Sequence, residues 1–201
     1  IVSGFVMQSE KYRIGIIAAL VITVAIIGYF TSRGVPEAPA ADPNLTVNFN
    51  PFTEAWRTIG YAREVRSVWL SILGISWLWF YGALFLAQLL NYTRFILGGD
   101  EGVVTVLLAA FSIGIATGSM LCEKLSGGQI EIGLVPFGAF GMTLFAVDLF
   151  FASPLGIAQG THHATSFIQS SFGWRVMLDL VLMGLFGGFF SVPLYALVQH
   201  R

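Results

Sequence analysis

Three stretches of this chain carry no charge at all: residues 14–30, 68–90 and 103–122. Two more, 132–152 and 176–198, carry one each, Asp148 and Asp179. Each run is close to the roughly 20 residues that a helix needs to cross about 30 Å of hydrocarbon. Backbone polar groups can be satisfied in lipid only within helices or closed barrels, and barrel strands would show as alternating segments of about 10 residues. No such alternation is visible, so the sequence predicts an all-α, polytopic transmembrane helix bundle with five spans. Composition agrees, since 10% of the residues are charged against about 25% in soluble domains.

Between the first two runs the chain changes character. Residues 31–45 (TSRGVPEAPAADPNL) hold three of the seven prolines and read as an extended linker. After Asn50-Pro51, the residues Phe52, Trp56, Ile59 and Ala62 recur at helical spacing among Glu54, Arg57, Arg63, Glu64 and Arg66. This pattern predicts an amphipathic helix on a membrane surface. Arg33, Arg57, Arg63 and Arg66 make 31–67 the most basic loop, which places it in the cytoplasm. Alternation then sets 91–102 and 153–175 outside and 123–131 inside. The organisation expected is a span ending at residue 30, a cytoplasmic linker over 31–67 and a helical bundle over 68–201. The opening "IVSGFVM" reads as the tail of an earlier apolar helix, so the sequence is expected to be a piece of a longer protein.

Small residues recur every fourth position at Ala110, Gly114 and Gly118, and again at Gly184 and Gly188. Such stripes let helix backbones approach closely in lipid. Gly133, Gly138 and Gly141 thin the fourth apolar run, and Pro193 is expected to kink the last.

The segment 118–133, GSMLCEKLSGGQIEIG, interrupts two apolar runs with an acid, a base and a glycine pair. It reads as a polar turn, and it resembles the loop signature of the major facilitator superfamily, G-x-L-x-D-R-x-G-R-K. Aligned on the acid, Leu121 matches, Glu123 stands for Asp and Lys124 for Arg. Ser119 and Ser126 replace the two Gly, and Gly127-Gly128 replace the final basic pair. The span, basic linker and further spans are similar to helices six to ten of that twelve-helix fold. More narrowly, "SILGISWLWFYGA", "GGDEGVVTVLLA" and "CEKLSGGQIEIGLVPFG" resemble the transporter portion of bacterial lysophospholipid transporters, in particular the version fused to a glycerophospholipid acyltransferase and an acyl-carrier-protein synthetase. The resemblance covers residues 10 to 201. It implies a multi-pass protein of the bacterial inner membrane that moves lysophosphatidylethanolamine-like lipids inward for reacylation by alternating access. Lysophospholipid, the bilayer and a fused or associated acyltransferase would be its partners.

Candidate transport residues are polar or aromatic groups within the apolar runs. Trp77, Tyr81 and Gln88 lie roughly on one face of the second run, with Asn91 nearly a turn later, and Trp79 also lies near its middle. The resemblance puts this run on the transport cavity, where a headgroup cation could rest on the rings. Asp179 is one turn after Arg175, so a local Arg175–Asp179 salt bridge and a role in binding an ammonium or a proton are both open. Asp148 reads as interfacial or structural. Ser119, Glu123 and Lys124 are the gating candidates implied by the loop signature. His162-His163 read as exposed loop residues with no carboxylate nearby in sequence, and Asp100-Glu101 as a helix start.

A net charge of −1 and the charge distribution give no reason to expect a nucleic-acid partner. Cys122 is the only cysteine, which excludes a disulfide or thiolate metal cluster within the chain. No cofactor or metal is expected. The three histidines lie outside the apolar runs, so these residues are not expected to form an enzyme. Two alternatives stay beside lysophospholipid transport: a facilitator of small polar or drug-like solutes, and a non-transporting membrane anchor for a fused acyltransferase.

Overall fold

The computed structural model describes residues 2–35, 50–153 and 162–200. It is helical, and the chain divides into two units, 1–49 and 50–201. The first unit holds α1 (Val2–Ser32). The expected span 14–30 lies within it, and its described apolar portion is Ala18–Ser32. Most of the proline-rich linker, residues 36–49, is outside the described residues.

The second unit begins with α2 (Pro51–Glu64) and continues through α3 (Arg66–Asn91), α4 (Glu101–Ser126), α5 (Leu134–Ala152), α6 (Ala164–Gln169) and α7 (Ser171–His200). Among the described residues, four helical segments are long and apolar enough to cross a membrane: 66–96, 101–126, 134–152 and 171–200. They correspond to the four later runs read from the sequence.

Local signals set the helix ends. Asn50 caps α2, its side-chain oxygen accepting from the amides of Phe52 and Thr53, with Pro51 at the first helical position. The apolar side of α2 is uncovered: Phe52 is 86% and Trp56 74% exposed. That is the arrangement expected of a helix whose apolar face meets lipid. Arg63 stacks on the Trp69 ring at 4.8 Å and ties the end of α2 to the start of α3. Asp100 caps α4, accepting from the Val103 amide at 3.0 Å, as its position before an apolar run predicts. α4 ends at Gly127, whose left-handed backbone (φ 57°) continues into Gly128 (φ 77°). L side chains rarely adopt that conformation, so the glycine pair makes the reversal.

α7 is the central post. α4 and α5 pack along it, and α3 touches it more lightly. The two small-residue stripes face each other across α4 and α7. A Cβ added at Gly114 or Gly118 would overlap the backbone of Val181 or Leu185, and one at Gly184 the carbonyl of Phe111. At Gly188 it would lie 2.6 Å from the Ser119 nitrogen. On the other side of α7, Gly138 and Gly141 of α5 admit the Phe190 backbone and the Phe186 ring. Gly133 differs: it precedes α5 with nothing against it, so it thins no interface. Pro193 is buried inside α7, and the helix continues through it to His200.

At one end of the bundle α3 runs into a single π turn, Tyr92–Ile96, closed by the Leu97 amide on the Tyr92 carbonyl. Buried Thr93 returns its hydroxyl to the Leu89 carbonyl. The 98–100 strand-like segment then pairs with His162, whose amide donates to Gly98 and whose carbonyl accepts from Asp100. We refer to this as the Tyr92 end and to the opposite one as the Glu123 end.

Candidate functional site

α3 and α5 do not close on each other. Between them lies a cleft of about 540 Å³ backed by Phe190 of α7. Trp77, Leu78 and Tyr81 line it from α3; Thr143, Ala146 and Phe150 are among its lining residues on α5. The α5 stripe has helical spacing, with small side chains toward the middle and the Phe150–Phe151 pair at the Tyr92 end. Its hydroxyls are occupied or few: Thr143 bonds the Ala139 carbonyl of its own helix. The lining is therefore apolar with two amphipathic rings, a surface suited to hydrocarbon with a polar group at its margin.

Two of the sequence candidates, Trp77 and Tyr81, thus come together in one cleft. Trp77 is 63% exposed and lies beside Phe80, while Tyr81 stacks on Phe85. Gln88 and Asn91 are exposed on α3 and do not line the cleft. Eleven and fourteen residues beyond Trp77 they share its face of α3, so position along the helix and not phase keeps them out of the lining. Trp79 points elsewhere, donating its indole N–H to the Tyr195 hydroxyl of α7 at 2.7 Å.

A cluster of charged residues lies at the Tyr92 end. Arg175 of α7 binds Asp148 of α5 at 2.8 Å. Of the readings left open, the local pair is not the bond formed: Arg175 reaches across to α5 rather than one turn along its own helix. It also makes Asp148 a partner in an inter-helix ion pair. Asp179 is 2% exposed, and its Oδ2 has no hydrogen-bond partner. Nearby, the Tyr92 and Ser153 hydroxyls bond at 2.8 Å, joining the end of α3 to the end of α5. Outside the spans, His163 Nδ1 lies 2.8 Å from Asp100 Oδ2. His163 therefore does have a carboxylate neighbour, brought from 63 positions away. That contact first, and the Val103 amide second, hold the Asp100 carboxyl below its usual range.

The gating candidates separate. Glu123 and Lys124 lie in the last turn of α4, not in a turn between helices, because the helix continues to Ser126 and the glycines make the reversal. Both are exposed, and Ser126 Oγ donates to the Glu123 carbonyl. Ser119 is in the seam, its backbone against Gly188. The sequence reading missed the α5 side of the cleft. Its signal was the recurrence of Ala139, Thr143, Ala146 and Phe150 at helical spacing.

Long apolar helices packed through glycines, with ionic groups kept toward the helix ends and on a surface helix, define a multi-pass all-α membrane protein. Within that class the chain is similar to curated lysophospholipid transporters. It is 28% identical over 193 residues to the lysophospholipid transporter LplT of Klebsiella pneumoniae strain 342, matching 92% of this chain and 43% of that protein. It is 30% identical over 172 residues to LplT of Cronobacter sakazakii, 83% of this chain and 38% of that protein. The chain thus spans less than half the length of the curated relatives it matches. No family model and no solved structure matches it.

Proposed function

We propose that these residues form part of a major-facilitator-type transporter that moves lysophospholipid across the bacterial inner membrane by alternating access. The observation that carries this reading is the α3–α5 cleft: an apolar, ring-lined channel side in a chain similar to LplT. Its volume is in the range of small-molecule sites, about 300–1,000 Å³. In this reading the acyl chain lies along Trp77, Tyr81 and the α5 stripe. The zwitterionic headgroup meets the polar groups toward the Tyr92 end, with Arg175 offered to its phosphate, and Asp179 would reach its ammonium only if the helix ends part. Gln88 and Asn91 would serve on the approach to the cleft.

The basic segment 31–67 puts the Glu123 end in the cytoplasm. Glu123 and Lys124 then sit among inner-leaflet headgroups as a gate, with Ser119 as the point where α4 bears on α7. Rocking of two bundles about a central site would alternate access. These residues bind and move lipid and do no chemistry on it. A fused or associated acyltransferase would reacylate the lipid after delivery.

Uptake of fluorescent lysophosphatidylethanolamine by vesicles holding the full-length protein tests the proposal. Replacing both Trp77 and Tyr81 by Ala should raise the KM for long-chain lysolipid roughly tenfold, about 1.4 kcal/mol, and leave transport of a short-chain analogue less affected. Equal loss for both chain lengths would remove the acyl chain from the cleft. Uptake of small polar solutes but not of lysolipid would favour the solute facilitator. No uptake beside intact acylation would make the protein an anchor.

A further inference from the structure

α2 divides its arginines between two environments. Phe52, Trp56, Ile59 and Arg63 follow one another at steps of four, three and four residues, so they share one face of the helix. Glu54 and Arg57 lie on the opposite side and pair with each other at 3.2 Å. No residue of α2 is buried. Its apolar face therefore carries two uncovered rings, Phe52 and Trp56, and ends in the cation of Arg63.

Position decides what covers that face. A single extended residue, Val65, separates α2 from α3, and the segment 66–96 is long and apolar enough to cross a membrane. The first turn of a spanning helix marks the edge of the hydrocarbon, so the end of α2 cannot stand away from it. Arg63 is thereby fixed at the depth where aromatic and basic side chains meet headgroups. Its guanidinium lies over the Trp69 ring, 4.8 Å from the centroid. A ring takes the face of a guanidinium and leaves in-plane N–H groups to find oxygen. Arg66, the first residue of α3, is also exposed. Among the described residues neither arginine forms an ion pair. The nearest acid in sequence, Glu64, is turned about 100° away from Arg63 around the helix.

We propose that the α2–α3 corner binds the phosphate of an anionic membrane phospholipid, with Arg63 and Arg66 as donors and Phe52 and Trp56 set among the acyl chains. Two unpaired guanidiniums call for net negative charge. The phosphate of a zwitterionic lipid is already partnered by its own ammonium, so a lipid such as phosphatidylglycerol is the better match. Arginine can meet phosphate oxygens with two parallel hydrogen bonds. The bilayer adds what a soluble phosphate lacks, which is cover for the rings. The bound lipid sets the depth of α3, which reaches the cleft at Trp77, about two turns beyond Trp69. The site requires α3 to span a bilayer, and it holds whatever the transported solute is.

Hydrogen exchange of the full-length protein in lipid vesicles tests this. Replacing part of a phosphatidylcholine bilayer by phosphatidylglycerol should slow exchange across 52–66 on the order of tenfold, with α4 and α7 unchanged. Added salt should remove the difference. Arg63→Gln combined with Arg66→Gln should abolish it, and Arg57→Gln, on the water side, should preserve it. The comparison of lipids needs no variant to fold. Equal exchange in the two bilayers would overturn the proposal. So would protection by inorganic phosphate in phosphatidylcholine alone, or a lipid effect that persists in the doubly substituted protein. Protection that grows with protein density in phosphatidylcholine would assign the face to a second copy of the chain and overturn it as well.

Discussion

The α4–α7 seam and the α3–α5 cleft are built from the same kinds of residue yet behave in opposite ways. Along the seam, glycines on both helices remove the Cβ atoms that would hold the backbones apart, and Val181, Leu185 and Phe111 carbonyls occupy the space. On α3, by contrast, Gly82 has nothing within 4 Å, and across the cleft the stripe of α5 is separated from α3 by open volume. In water both surfaces would collapse to hide apolar area. In lipid, tails are as apolar as leucine, so contact is gained only where shape permits close approach. The difference teaches that glycine alone does not make an interface; glycine opposite a complementary backbone does.

The contrast can be broken most forcefully at Gly118. Gly118→Ala places a methyl within the Leu185 carbonyl and should force the helices apart, costing about 3 kcal/mol, the upper end of overpacking. Gly74→Ala, whose new methyl meets the flexible end of Leu194 at 3.0 Å, should cost less than about 1 kcal/mol. Thermal unfolding of the two variants in detergent compares them directly, and equal losses would end the distinction between the tight α4–α7 seam and the looser packing of α3.

A smaller effect is expected at Tyr92→Phe. It removes the only hydroxyl that bonds Ser153 across the cleft's Tyr92 end among the described residues, worth about 1 kcal/mol. Chemical unfolding should show that loss, together with faster hydrogen exchange at the ends of α3 and α5. A loss as large as that of Gly118→Ala would mean that polar ties, not the seam, dominate the bundle.

The smallest effect lies outside both regions. The His163 contact, then the Val103 amide, holds the Asp100 carboxyl down. Its stabilising contribution is therefore present above the ordinary carboxylate pKa and is lost as pH falls through the lower folded value. Asp100→Ala should accelerate exchange at 97–103 and 162–167 at neutral pH to the level that the unsubstituted protein reaches only in acid. The main melting transition should not move.

Much of this was legible in the sequence because lipid restricts the alternatives. The four later charge-free or nearly charge-free runs had to be helices, and the stripes at Gly114, Gly118, Gly184 and Gly188 had to be contacts, since exposed glycine brings nothing to a helix in hydrocarbon. The Asp100 cap followed from an acid placed just before an apolar run. Partner choice was not legible. Arg175 is one turn from Asp179 and 27 positions from Asp148, yet it binds Asp148, because inter-helix distance decides that and sequence spacing does not. His163 and Asp100 meet for the same reason. Glu123 and Lys124 read as turn residues because they interrupt an apolar run. The helix in fact runs to Ser126, and the break is made by backbone at Gly127.

The bond from the Trp79 indole to the Tyr195 hydroxyl gives the loosely held α3 an abrupt response. If α3 leans away from α7, the indole N–H is stranded in hydrocarbon with no acceptor, at a cost of about 1–3 kcal/mol. Small excursions are thus resisted until the contact lets go, after which nothing equivalent opposes further travel. A side chain facing the lipid thereby works like a snap fastener, holding the wall of the cleft in place until the bond yields.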